Sequence, residues 1–137
     1  MANAFFPAFK EQMLQGGVNL SAGTVKALLV TSAYTFDTAD VFVSDLIGIL
    51  TNGRSPALTT KTLTNGIFDA DNTTLPAVTG GQTAAAIIIY LDTGSDATSR
   101  LVCFLDTGVT GLPFSTTGGD IAITWDDGAN KIFGFTG

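Results

Sequence analysis

Two carboxylates in matching settings are the first chemistry the sequence offers. In YLDTGSDATSRLVCFLDTG, residues 90–108, Asp92 and Asp106 each open an Asp-Thr-Gly tripeptide after an apolar pair, fourteen residues apart. Two carboxyls held about 3 Å apart cannot both ionise; they share a proton and polarise a water, the chemistry of peptide hydrolysis. Proximity decides whether this pair can do it. The tripeptides end two strand-like runs, 86–91 and 100–105, joined by TGSDATS. In an antiparallel hairpin with Asp92 opposite Arg100, Asp106 falls opposite Ala86. Six residues at roughly 3.3 Å each then separate the carboxylates by about 20 Å. Asp and Thr accept local backbone hydrogen bonds and Gly takes a positive φ, so the tripeptide reads as one turn starter used twice.

Pairing across a homodimer is a separate matter. LDTGSD is similar to the active loop of retroviral-type aspartic peptidases, and that resemblance implies a role for Asp92 opposite its own copy. The rest of the pattern departs from the family. A second motif of two apolar residues and a Gly must follow at a distance, with a flap hairpin between; KIFGF fits the first only when forced, and the second Asp-Thr-Gly strand occupies much of the intervening chain. A peptidase acting through Asp92 stays as an alternative, and the main reading is not an enzyme.

The remaining chemistry-bearing residues read as structural. The chain has no His, which removes the commonest general base and transition-metal ligand, and its single Cys103 lies inside RLVCFL as a small apolar residue. DADNTT, residues 69–74, alternates like a calcium loop, but Thr74 stands where Gly is needed and no closing Glu follows. Asp126 and Asp127 before Gly128 read as a hairpin turn. Trp125 either stacks on a sugar or packs against its own strand. TNGRSP lacks the Lys-Ser/Thr of a phosphate loop. No catalytic residue, cofactor or metal is predicted.

The same hairpin register carries an interface expectation. Ile87, Ile89 and Leu91 share a face with Leu105, Cys103 and Leu101, while Ile88 and Tyr90 share the other with Phe104 and Val102. Both faces are apolar, so one enters the core and the other needs a cover, from the N-terminal helix or from a second subunit. Phe5, Phe6 and Phe9, with Ile88, Tyr90, Val102 and Phe104, are therefore the candidate contacts to a partner; the alternative is that the three Phe close the bottom of the chain's own core.

The elements that position these residues follow from periodicity and punctuation. Phe6, Phe9, Met13 and Leu14 recur at helical spacing and QGG stops them, which predicts a short helix over 7–15. TVKALLV, residues 24–30, reads as a buried strand. A helical turn is expected in TADVFVSDLIG, capped by Asp37 or Thr38, with Val41, Leu46 and Ile47 inward. From TNGRSP onward short β runs alternate with Gly, Asn, Asp and Pro, and Asn65-Gly66 marks a two-residue hairpin. About eight strands result, with DDGAN joining the last two. The expectation is an all-β protein with one or two short helices: a single domain over 1–137, with an N-terminal arm and helix over 1–17 and a jelly-roll-like β-sandwich over 18–137.

Composition narrows the partners. With 13% charged residues and a net charge of −6, the electrostatic footprint for nucleic acid is missing. The first residues have neither a basic region nor a sustained apolar run, so no signal peptide or membrane span is expected and synthesis is placed in a cytoplasm.

MANAFFPAFKEQMLQGGVNLSAGTVKALLV at one end and FLDTGVTGLPFSTTGGDIAITWDDGANKIF at the other, with the Asp-Thr-Gly strands between, resemble small virion structural proteins of tailed bacteriophages. Among these the chain looks most like the capsid cement, or decoration, proteins. The resemblance implies a jelly-roll-type domain on the outer surface of the virion, binding the major capsid protein as a dimer or trimer over the joints between subunits. A tail or fibre component, such as a receptor-binding module, is the alternative.

Overall fold

Pro7 in the first turn and Gly16 in the left-handed region (φ 74°) bound the helix that the periodicity predicts, α1, Pro7–Gln15. The computed structural model describes residues 3–107, 109, 111–125 and 131–134; DDGAN lies outside them. Everything else of regular length is strand: β1 Ala4–Phe5, β2 Thr24–Val30, β3 Ile49–Arg54, β4 Thr62–Thr64, β5 Ile67–Asp69, β6 Thr73–Leu75, β7 Thr83–Ala84, β8 Ala86–Asp92, β9 Arg100–Leu105, β10 Phe114–Ser115, β11 Ile121–Ile123 and β12 Phe133–Gly134. The protein is mostly β, with every strand pairing among the described residues antiparallel.

The long apolar runs build the main sheet, ordered β1-β9-β8-β2-β3. β2 and β8 pair without a break from Thr24↔Asp92 to Val30↔Ala86. β8 is the central strand, and Ala86 to Tyr90 are all buried, as are Leu101 to Leu105 on β9. Each fully buried Ile of the 87–89 run contributes roughly 1.5–3 kcal/mol. The predicted register holds for Ile87↔Leu105, Ile88↔Phe104 and Ile89↔Cys103, then slips by one to Tyr90↔Leu101 and Leu91↔Arg100. A helical turn closes the connecting loop, with the Thr98 and Ser99 N–H groups donating to Ser95, and Ser99 in turn accepts from Val43. That fixes Arg100 opposite Leu91, and a bulge at Val102 takes up the extra residue.

A sheet apolar on both sides needs two covers, and consecutive side chains of the N-terminal arm start both. Phe5 pairs with Cys103 in the sheet, and Phe6 donates its N–H to Val102 one step further along the same edge. Alternation sends the two rings to opposite faces. Phe5 meets Phe9 and Phe133, at 6.2 and 5.2 Å between ring centres, and Phe133 stacks on Phe68 at 4.9 Å. Phe6 meets Phe36 at 4.9 Å, and Phe36 and Tyr34 close over Phe104 at 5.8 and 6.0 Å. The second cover is thus the chain's own 34–36 segment together with Phe6.

Three short sheets supply the rest: β12-β5-β4, β11-β6 and β10-β7. Asn65 (φ 55°) and Gly66 (φ 77°) turn the β4–β5 hairpin as predicted. The expected pairing of the last two strands with each other is corrected. β11 pairs with β6 and β12 with β5, because Phe133 stacks on Phe68 while Trp125 bonds back to Asp71 and Asn72. The helical turn in TADVFVSDLIG shrinks to a 3₁₀ turn at Val43–Asp45. Its cap is Asp45, accepting from the N–H groups of Val41 and Phe42, and Ile47 is 62% exposed rather than inward.

Phe6 is fully buried, so Phe6→Ala should lower stability by about 3–5 kcal/mol, whereas Leu14→Ala on the exposed side of α1 should stay within about 0.5 kcal/mol. Urea unfolding followed by fluorescence of the buried Trp125 measures both.

Candidate functional site

Asp92 closes β8 and Asp106 follows the far end of β9, so the hairpin holds them apart by its own length, about 20 Å at 3.3 Å per residue. Their surroundings differ as well. The Asp92 carboxylate bonds Lys26 Nζ at 2.8 Å and accepts the Gly94 N–H at 3.0 Å, closing its own turn. The bond from Lys26 holds the Asp92 carboxyl below the usual carboxylate range, with the Gly94 N–H adding to it. A shared-proton pair needs one carboxyl raised, the opposite condition. At the second tripeptide, Asn3 reaches in from the N-terminus: its Oδ1 accepts from the N–H groups of Asp106 and Thr107 at 2.8 and 3.0 Å, and its Nδ2 donates to the Thr107 carbonyl.

Above Tyr90 the polar groups form a second cover. The Arg54 guanidinium lies 6.0 Å from the centre of the Tyr90 ring and grips Asp96 with two hydrogen bonds, at 2.6 and 2.8 Å. Arg54 lowers the Asp96 carboxyl, and burial raises the Tyr90 hydroxyl. Beside this belt a cleft of about 260 Å³ is lined by Asn19, Thr24, Asp92, Thr93, Thr98 and Arg100, among others. The Thr93 and Thr98 hydroxyls in it bond each other.

The other sequence candidates are also engaged by the fold. The Asp71 carboxylate accepts from Thr60 Oγ1 and its carbonyl from the Trp125 indole, while Asn72 accepts the Trp125 N–H. Trp125 is 5% exposed, which removes it as a stacking platform for a sugar. Cys103 is buried, and burial pushes its thiol up, away from the reactive thiolate. No group of three or more metal-ligating side chains occurs among the described residues.

The interface expectation needs correction. Phe6, Phe9, Ile88, Tyr90, Val102 and Phe104 are all buried within the chain, and only Phe5 keeps part of its surface. These rings and aliphatics fill two cores on opposite sides of one sheet, and apart from the edge of Phe5 they are covered by the chain itself. The exposed large apolar side chains among the described residues are instead Leu14 at 90%, Ile47 at 62% and Leu63 at 48%. Leu63 borders an apolar groove of about 300 Å³ between the α1 end of the chain and the β4–β5 hairpin, floored by Met13, Leu20, Ile67, Phe68 and Phe133. Sequence reasoning missed this groove. Its one signal was that Leu63 is apolar in otherwise polar surroundings, KTLTNG.

Comparison with family models, curated proteins and solved structures finds no match to the chain.

Asp45, Asp92 and Asp96 all sit below the ordinary carboxylate range through hydrogen bonds, while burial raises Asp40. The three lowered groups add stability that is complete above the unfolded value of about 3.9 and is lost as pH falls through their folded values. Asp40 acts in the opposite sense. Urea midpoints should therefore drop between about pH 5 and pH 2. Asp92→Asn should reduce that drop, lower neutral-pH stability by about 1 kcal/mol or less, and leave the fold intact.

Proposed function

We propose that the chain is a bacteriophage capsid cement protein, a structural component that binds the outer surface of the head between major capsid subunits. The observation that carries this reading is how the surface is divided. The reactive candidate Asp92, and with it Lys26, Arg54 and Asp96, are tied into turns and ion pairs, whereas Leu14 and Ile47 stand uncovered. That arrangement suits a protein that acts by contact. The resemblance of both ends of the sequence to small virion proteins supports the same reading, and a net charge of −6 suits a surface facing away from packaged DNA. The jelly-roll-like sandwich belongs to the proposal. Its support is a five-stranded antiparallel sheet whose core side chains are shared with the three shorter sheets.

The mechanism is additive. A copy spanning neighbouring capsid subunits contributes interface area that outward pressure must break, repeated at every site. The side chains assigned to that contact are Leu14 and Ile47. The buried Phe cluster is left to the core, so deleting the first nine residues would report on stability and not on docking.

Labelled protein added to virions purified from a phage whose gene for it has been deleted should decorate the head surface in electron micrographs. Leu14→Lys and Ile47→Lys should fold normally, and the double variant should need at least about tenfold more protein for half-occupancy, the effect of losing 1.4 kcal/mol. Label on the tail, or none on the virion, would overturn the assignment.

A further inference from the structure

The groove ends at a strand edge that no described residue of the chain pairs with. β4 is the outer strand of the sheet β12-β5-β4, and Thr62, Leu63 and Thr64 are all exposed. The outer edge of β3, by contrast, is closed: Gln82 accepts the Thr51 N–H, and the Thr51 carbonyl accepts from Thr79 and Gln82. In a two-residue hairpin Thr64 and Ile67 exchange the ladder bonds, so Leu63↔Phe68 is a non-hydrogen-bonded pair. The N–H and C=O of Leu63 consequently point outward, side by side, ready to exchange both bonds with one residue of another strand.

We propose that this residue is Leu63 of a second copy, the two β4 edges pairing antiparallel about a two-fold axis. Three features favour a copy of the same chain over another partner. First, the register is self-complementary: Leu63 falls opposite its own copy, and Thr62 falls opposite Thr64 of the second copy, a favourable cross-strand pair. Second, pairing completes an apolar row. Phe133↔Phe68 and Phe68↔Leu63 lie side by side in each chain and stop at an exposed leucine, and the second copy continues the row as Leu63, Phe68 and Phe133. Third, charge permits it. Each chain carries −6, yet residues 62–66 are uncharged, and the flanking Lys61 ammonium is engaged by the carbonyls of Leu20 and Gly23.

Three residues bury far less than the roughly 800 Å² per partner of a stable complex. The dimer is therefore weak, with a dissociation constant on the order of 100 μM, and strengthens with salt as the net charges are screened. The inference stands apart from the capsid reading.

Sedimentation velocity of the full chain from about 10 μM to 1 mM, at two salt concentrations, tests it. Wild type should shift from monomer to dimer across that range, with slower amide exchange at Leu63 at the higher concentration. Leu63→Lys should stay monomeric throughout, and Leu63→Thr, which keeps the backbone groups and strand propensity, should weaken the dimer at least about threefold. The inference is overturned if wild type is monomeric at 1 mM or if Leu63→Lys associates like wild type. Loss of virion binding by Leu63→Lys while wild type stays monomeric would also overturn it, assigning the edge to another protein. Should Leu63→Lys unfold, Leu63→Thr decides alone.

Discussion

A β-sheet that is apolar on both sides cannot be left half covered, and the rest of this structure answers to that constraint. β8 and β9 carry Ile, Val, Leu, Cys and Phe without polar alternation, so each face exposes a hydrocarbon surface worth many kcal/mol until something lies on it. The chain solves this with an element at the sheet edge rather than with a second large sheet. Phe5 and Phe6 share an edge and diverge, Phe5 joining Phe9, Phe68 and Phe133, and Phe6 joining Phe36 and Phe104. Where aromatic cover stops, at Tyr90, the Arg54–Asp96 pair takes over. The abundance of phenylalanine near the N-terminus is an internal requirement of a two-sided core.

How much of this was legible in the sequence depends on which force fixes each element. α1, β2 and the Asn65-Gly66 hairpin were readable to the residue, because apolar spacing and turn chemistry act locally. The strand edges were not. β3 was hidden because Thr51-Asn52-Gly53 spells a turn, and a positive φ at Asn52 does occur there, but inside a bulged edge strand held by β2 and Gln82. The one-residue slip at Val102 depends on how the loop after Asp92 closes through Ser95, Ser99 and Val43, which spans distant sequence. The site was harder still. Exposure is a property of the finished surface, so nothing in a pattern of phenylalanines distinguished ring clusters that bury each other from ring clusters that await a partner.

The acidic groups illustrate the same division. Asp45, Asp92 and Asp96 each hold a turn or a neighbouring cation, and the lowered pKa values follow from those bonds. What resembled a pair of reactive carboxylates is a pair of loop closures made by different means: the first by its own aspartate and the second by Asn3 arriving from the other end of the chain.

That last contact has a temporal side. Asn3 and Asp106 lie 103 positions apart, so on a ribosome adding roughly 5–20 residues per second the arm waits about 5–20 s before its docking edge exists. During that interval Phe5, Phe6 and Phe9 have no sheet to lie on. An early-made segment thus waits for a late-made edge, and a short amphipathic helix with its own proline start and glycine stop gives that segment a local shape to hold in the meantime.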